Sequence, residues 1–189
     1  MTFPGTMTDG WVDGVCHILS PNHDCRPEGE AVSLLVIHAI SLPPFQFGGT
    51  DIDRLFTNTL DPNAHPYFRD ISTLRVSAHF LIRRNGEVVQ FVSCDRRAWH
   101  AGASCWENRK SCNDFSIGIE LEGCDHLPFE NMQYDMLIAL AKLLCKHYPI
   151  TVIAGHSDIA PERKTDPGPC FLWQRLAGEG LPLHFENRC

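Results

Sequence analysis

The sequence predicts an α/β fold, a single domain in which a mixed central β-sheet is flanked by helices. Residues 33–40, SLLVIHAI, are apolar at odd and even positions alike, which indicates a strand buried on both faces of a sheet. Residues 76–92 form two β-rich arms around Asn85 and Gly86, which predicts a hairpin with a two-residue turn. Residues 129–148 predict one helix with a broad apolar face. That face is expected to comprise Met132, Met136, Leu140, Leu144 and Tyr148 at four-residue spacing, with Leu137 and Ala141 beside them.

The other elements follow from shorter patterns. Residues 41–50, SLPPFQFGGT, and 60–68, LDPNAHPYF, interrupt the middle of the chain and predict long loops of the kind that build binding sites. Residues 115–123, FSIGIELEG, predict a strand on which Gly118, Glu120 and Glu122 share one face. Acids on a buried strand are costly unless they are used or paired. The alternative is a solvent-exposed sheet edge, a position that suits Glu122 at the end of the strand.

A short strand at residues 151–154, TVIA, leads straight into GHSDIAPERKTDPGP, residues 155–169. Three prolines exclude a helix interior or a central strand there, so we expect a rigid loop.

Composition limits the classes of partner. The 189 residues are 43% hydrophobic, carry no linker or repeat, and predict one domain over residues 1–189. The net charge of -7 argues against a nucleic-acid partner, and no apolar run is long enough for a membrane span. Nothing predicts an obligate protein partner. Local basic pairs at 83–84, 96–97 and 109–110 suit a small anionic ligand.

The N-terminal segment and the cysteines predict a cytoplasmic location. MTFPGTMTDGW has neither the charged region nor the apolar region of a secretory signal. The nine cysteines are odd in number, scattered and without a CxxC pair, which is typical of free thiols in a reducing compartment.

Two histidines and an acid are candidate metal ligands. His38 lies on the first long strand, and taken alone it is more often a buried imidazole bonded to backbone. His156 directly follows a short strand, at the start of a loop rich in carboxylates. Two histidines plus one acid, with a fourth position left to water, are a common catalytic zinc set. Spacing leaves the acid open between Asp158, which could instead cap the turn before Pro161, and Asp166.

Six segments together resemble the zinc-dependent N-acetylmuramyl-L-alanine amidases. They are LLVIHAISLPP, DPNAHPYF, LRVSAHFLIRRNGEVVQFV, RRAWHAGAS, CNDFSIGIELEG and GHSDIAPERKTDPGP, and they span about residue 15 to about residue 175. The resemblance implies the fold that these amidases share with peptidoglycan recognition proteins. It also implies one Zn²⁺ per chain, held by His38, His156 and Asp166.

The resemblance implies roles for four further residues. Glu120 matches the family's catalytic glutamate and would take a proton from water and pass one to the leaving amine. Lys164 matches the catalytic lysine and would stabilise the developing oxyanion. The zinc would lower the pKa of that water toward about 7. Arg75 and Trp99 lie in stretches that line the substrate cleft in relatives.

The implied substrates are cytoplasmic 1,6-anhydromuramyl peptides. The bond cut would join the lactyl group of 1,6-anhydro-N-acetylmuramic acid to L-alanine, a step of peptidoglycan recycling that indirectly limits β-lactamase induction. Ala39 departs from relatives, many of which have Asn beside the ligand His38. Residues 105–111 also differ, so Arg109 or Lys110 is expected to meet the stem peptide. A pure binding module and an exported amidase of broader tolerance are the other interpretations; retention of all three ligands argues against the first.

Overall fold

The computed structural model describes residues 5–184. The predicted domain limits of 1 and 189 therefore lie outside the described residues and stay a prediction. The strands within this range are β1 (Met7–Thr8), β2 (Trp11–Val12), β3 (Cys16–His17), β4 (His23–Cys25), β5 (Leu34–Ile40), β6 (Phe80–Ile82), β7 (Val88–Gln90), β8 (Arg96–Ala98), β9 (Cys105–Trp106), β10 (Arg109–Lys110), β11 (Ser116–Glu122) and β12 (Val152–Gly155). The α-helices are α1 (Asp51–Phe56), α2 (Phe68–Ile71), α3 (Asn131–His147) and α4 (His156–Ile159), and 3₁₀ turns cover Cys112–Asp114 and Trp173–Arg175.

A six-stranded mixed sheet forms the centre of the fold, in the order β12-β5-β11-β6-β7-β3. The neighbours β12, β5, β11 and β6 are mutually parallel, β7 runs antiparallel to β6, and β3 runs parallel to β7. Strand β5 lies between two parallel neighbours and is covered on both faces, which explains its uninterrupted apolar sequence. The predicted fold class and the strand at 33–40 are confirmed.

Alternate residues of the central strands face two different cores. Leu35 and Ile37 of β5 pack with Leu137 and Leu144 of α3 in one core. Leu34 and Val36 face the other side, where α4 and the 3₁₀ turn at 112–114 cover the sheet. Because His38 follows Leu34 and Val36 at two-residue spacing, it lies on the face opposite α3.

Helix α3 confirms the helix predicted for 129–148, but Met132, the first residue of the predicted core face, does not face the core. Met132 is 44% exposed, whereas Gln133 and Tyr134 beside it are buried. A strict four-residue spacing advances by about 40° per step beyond a full turn of the helix, so one face cannot hold all five predicted positions. The rest of the predicted face is confirmed: Leu137, Leu140, Ala141 and Leu144 are buried, and Met136 and Tyr148 pack against the same core.

The hairpin predicted at 76–92 is present, but its two-residue turn is wrong. The amide N–H of Arg83 donates to the carbonyl oxygen of Glu87 at 2.9 Å, so three residues, 84–86, form the loop. Gly86 adopts a φ of 83°, the left-handed position that closes a three-residue hairpin loop with a bulge. Gly86 correctly predicted a turn, but it occupies the third position of a three-residue loop.

The long loops predicted at 41–50 and 60–68 are confirmed as irregular segments on either side of α1, except that Phe68 already begins α2. No helix within residues 5–184 combines the length and apolarity that a membrane crossing requires. The eight cysteines in this range are all free thiols, and Cys189 lies outside the described residues.

Candidate active site

Three strand ends bring the first candidate residues together. Parallel strands β12, β5 and β11 are neighbours, so their carboxyl ends lie at the same edge of the sheet. Their register pairs Glu120 with His38, and Gly155 with Ile37. His156 directly follows Gly155, so two imidazoles and one carboxylate converge at this edge.

The segment after β12 decides between the two acids. Contrary to the expected loop, His156–Ile159 forms one helical turn before the prolines begin. Asp158 on this turn accepts the amide N–H of Gly155 at 2.7 Å, which is a capping contact. Farther along, the carbonyl oxygen of Asp166 accepts the amide N–H of Ser157 at 2.9 Å. The chain thus folds back and brings Asp166, not Asp158, beside His156.

The side chains of His38, His156 and Asp166 form a compact donor set that can hold a metal ion. The two Nδ1 atoms lie 2.9 Å apart, and Oδ2 of Asp166 lies 3.2 Å from Nδ1 of His38 and 3.1 Å from Nδ1 of His156. Ligand atoms at zinc distances in a tetrahedron are separated by about 3.3 Å, so the triangle has the right size. Both imidazoles are buried, and only 15% of the Asp166 side chain is exposed.

The Nε2 atoms of both imidazoles, which face away from the donor set, are also within hydrogen-bonding distance of neighbouring groups. Nε2 of His156 lies 3.2 Å from the carbonyl oxygen of Ala101, which can only accept, so this nitrogen carries the proton. Nδ1 of His156 is then free to donate its lone pair to a metal. Nε2 of His38 lies 2.9 Å from Nδ1 of His100. The donor atoms of this set therefore fit a zinc ion.

The electrostatics of the site favour the protonation states that metal ligands need. Burial lowers the pKa of His38 to about 4, so its imidazole is neutral at physiological pH. Burial alone would raise the pKa of Asp166, but the close contacts of its carboxylate with His156 and His38 outweigh it and hold that pKa well below its usual range. A neutral imidazole and an ionised carboxylate are the ligand forms that bind zinc.

Glu120 is a buried carboxylate beside this donor set. Its side chain lines the same cavity as His38 and Asp166, and among the described residues its Oε2 atom has no hydrogen-bond partner. Burial, and next the charge of Asp166, raise its pKa well above the usual value, while Lys164 acts in the opposite direction. Lys164 is half-buried and lines the cavity as well.

The cavity has a volume of about 320 Å³ and an apolar wall that includes Leu55 and Phe56. Trp99 lines it, and so does Tyr67, which the sequence did not single out. Arg75 is exposed outside the cavity lining, and its guanidinium donates to the carbonyl oxygens of Thr73 and Leu74. Its chain neighbours Leu74 and Val76 line the cavity, which places Arg75 at the rim.

The other basic candidates lie on β10, away from the cavity lining. The guanidinium of Arg109 pairs with Glu30 at 2.7 Å and lies over the ring of Phe115. Lys110 borders a separate surface depression together with Arg163.

Glu122 is not at an exposed sheet edge, contrary to the alternative considered for it. It is 2% exposed, and its carboxylate accepts the amide N–H groups of Gly48 at 2.6 Å and Arg84 at 3.1 Å. Loop 41–50 folds over the end of β11, which neither strand pattern nor spacing could reveal. Glu122 thus holds a loop whose first residues line the cavity.

Comparison with known proteins agrees with this geometry. The model of the family described as N-acetylmuramoyl-L-alanine amidase matches residues 28–169. The 1,6-anhydro-N-acetylmuramyl-L-alanine amidase AmpD of Enterobacter cloacae is 58% identical over 172 residues, which are 90% of this chain and 92% of that protein. A crystal structure of a selenomethionine derivative of AmpD superimposes with a TM-score of 0.90 at 56% identity, covering 92% of this chain and 98% of that one.

A structure of the amidase AmiD from E. coli, in complex with anhydro-N-acetylmuramic acid-L-Ala-D-γ-Glu-L-Lys, superimposes with a TM-score of 0.60 at 33% identity. It covers 82% of this chain and 61% of that one. The matched range of the family model includes the donor set and the loop that carries Asp166. The chain belongs to the N-acetylmuramoyl-L-alanine amidase family, whose members hydrolyse an amide bond.

Proposed function

We propose that this chain is a zinc-dependent 1,6-anhydro-N-acetylmuramyl-L-alanine amidase of peptidoglycan recycling. It hydrolyses the amide bond between the lactyl group of 1,6-anhydro-N-acetylmuramic acid and L-alanine in anhydromuropeptides. The observation that carries the proposal is the convergence of three metal-donor atoms with the buried carboxylate of Glu120 in one cavity. The AmpD relatives, and the anhydromuropeptide held by AmiD, support the substrate class.

His38, His156 and Asp166 would hold the zinc ion, one per chain. A zinc ion held there would supply Lewis acidity and would lower the pKa of the attacking water toward about 7. The protein contributes the burial that excludes competing water and the hydrogen bonds that orient both imidazoles.

Glu120 is the proposed general base and acid. The parallel register sets it directly beside His38 on the neighbouring strand, and its side chain lines the same cavity, where its carboxylate would meet the attacking water. Its Oε2 is buried and without a hydrogen-bond partner among the described residues, so it is available to receive a proton. Its raised pKa lets the carboxylate keep that proton until the amine of L-alanine leaves with it.

Lys164 is the proposed oxyanion donor. It lines the cavity on the folded-back segment that also carries Asp166. An ammonium group at this position donates to the lactyl carbonyl oxygen as that oxygen gains negative charge.

Trp99 and Arg75 are proposed to bind substrate. Trp99 offers the sugar an aromatic surface within the cavity. Arg75 at the rim presents a guanidinium to the carboxylates of the stem peptide, which it can bind with two parallel hydrogen bonds.

The proposed location is the cytoplasm. Three thiols, those of Cys16, Cys25 and Cys105, are exposed and free, a state that a reducing compartment preserves. A binding module without catalysis is the competing function. The complete donor set and the adjoining carboxylate favour the enzyme.

A parallel assay on two substrates tests the proposal. Zinc-loaded protein is given anhydromuramyl tripeptide and the matching non-anhydro muramyl tripeptide, and release of the tripeptide is followed for each. We expect a clearly higher kcat/KM for the anhydro compound. Equal values would leave a general muramyl amidase, and cleavage of neither would leave the binding module.

A further inference from the structure

His100 contacts the metal-donor set through the outer edge of His38. Its Nδ1 lies 2.9 Å from Nε2 of His38, and its own Nε2 lies 3.2 Å from the hydroxyl oxygen of Ser116. When Nδ1 of His38 gives its lone pair to a metal, the proton is on Nε2 and is donated to Nδ1 of His100. His100 then carries its proton on Nε2 and donates it to Ser116. The N–H groups of both imidazoles in this chain of hydrogen bonds thus have an acceptor.

The next residue holds the second imidazole in the same way. The carbonyl oxygen of Ala101 accepts from Nε2 of His156 at 3.2 Å and from the guanidinium of Arg163 at 2.9 Å. His100 therefore contacts His38, and the next residue, Ala101, contacts His156. Each contact is made on the edge of the imidazole that faces away from the metal.

The position of these two residues is itself fixed. The side-chain oxygen of Asn113 accepts the amide N–H of His100 at 3.1 Å and that of Ala101 at 2.8 Å. The ring of His100 lies on Gly118, where a Cβ atom would be only 2.5 Å from its Cγ and Nδ1 atoms. The ring also meets that of His38 edge-on, with an interplanar angle of 85°.

We propose that His100 and Ala101 together position both histidine ligands of the metal centre, and that Asn113 locks the pair in place. His100 is a positioning residue, because its hydrogen bond reaches the metal only through His38. The inference rests on the proposed zinc site and adds residues that set its affinity. Partners of this kind commonly change metal affinity about 10- to 100-fold.

Asparagine and leucine at position 100 separate the hydrogen bond from the packing. The two side chains have nearly the same shape, but only asparagine places an acceptor oxygen where Nδ1 of the imidazole stands. Zinc affinity is measured by competition with a chromophoric chelator. We expect His100→Leu to weaken zinc binding about 10- to 100-fold and His100→Asn to remain within a few-fold of the unaltered protein.

Gln90→Met is the control for a structural effect. Gln90 is fully buried and bonds to Gly10, Val12 and Val92, away from the donor set. Its replacement should lower the free energy of unfolding but leave the zinc affinity unchanged. If His100→Leu does not fold, Asn113→Ala serves instead. We expect that variant to weaken zinc binding several-fold although Asn113 touches neither histidine ligand, because it holds the two residues that do.

The outcomes separate this inference from the proposed function. Failure of the unaltered protein to bind zinc would overturn both. Tight zinc binding by the unaltered protein, together with equal affinity in the folded His100→Leu or Asn113→Ala variant, would overturn the positioning role alone. Equal losses in His100→Leu and His100→Asn would also overturn it, since the acceptor atom would then not matter.

Discussion

Gly118→Ala should damage the metal centre although it adds only one methyl group to a strand. Replacing a glycine by alanine at an ordinary backbone conformation usually stabilises a protein by about 0.4–1 kcal/mol, because the unfolded chain loses freedom. Gly118 does not adopt a positive φ, so the backbone itself would accept alanine. The obstacle is the ring of His100, which lies where the new Cβ would be.

The distances set the size of the effect. The Cβ would lie 2.5 Å from Cγ and Nδ1 of His100 and 2.8 Å from its Cδ2. Ordinary carbon contacts are about 3.5–4.0 Å, so the ring must retreat by about 1 Å. The bond from His38 to His100, now 2.9 Å, would then exceed normal hydrogen-bond length. We expect a loss of about 1–3 kcal/mol in the free energy of unfolding from overpacking, and about tenfold weaker zinc binding.

Urea unfolding of the metal-free protein and chelator competition measure the two effects separately. Gly49→Ala is the matched control, because its nearest neighbour would be Oδ2 of Asp51 at 3.9 Å and its φ is also not positive. The control should be neutral or slightly more stable, with unchanged zinc affinity. If the Gly118→Ala protein has the same free energy of unfolding and the same zinc affinity as the control, the packing argument is refuted.

Three further predictions concern the acids and the lysine. Asp166→Ala should remove most zinc binding in a metal analysis of purified protein. Asp158→Ala should keep the zinc, because the carboxylate of Asp158 caps a backbone N–H. The reverse result would overturn the ligand assignment. Glu120→Gln and Lys164→Ala should each retain zinc and lower kcat by roughly a hundredfold or more, as single-turnover assays can check. Loss of zinc in either variant would indicate that the replaced residue is a metal ligand. Glu122→Gln should change kcat only a few-fold. It should lower the free energy of unfolding by about 1–3 kcal/mol, because one backbone donor loses its acceptor. A hundredfold loss of kcat with unchanged stability would instead assign the role of general base to Glu122.

Local patterns predicted the elements that carry the site. The apolar run at β5 and the alternation at β11 depend on burial within a few residues, so the sequence displays both directly. His38 and Glu120 could therefore be assigned to strands from the sequence alone. The hairpin turn and the first position of the core face of α3, Met132, were predicted less well. Gly86 satisfies more than one turn geometry, and four-residue spacing differs from the true helical period.

Contacts between distant segments could not be predicted from such patterns. The choice between Asp158 and Asp166 depends on a helical turn that reverses the chain after β12. Spacing along the sequence does not show in which direction the chain turns. His100 lies just outside a short strand, and its importance appears only when the sheet brings Gly118 beneath it. The burial of Glu122 likewise depends on a loop that lies far earlier in the chain.

Titration of metal-free protein with zinc, with hydrolysis of anhydromuramyl tripeptide as the readout, tests whether one zinc ion per chain drives the reaction. We expect no turnover without metal, a linear rise with added zinc and a plateau at one zinc per chain. Full turnover in the metal-free protein, or no turnover at any zinc ratio, would contradict this expectation.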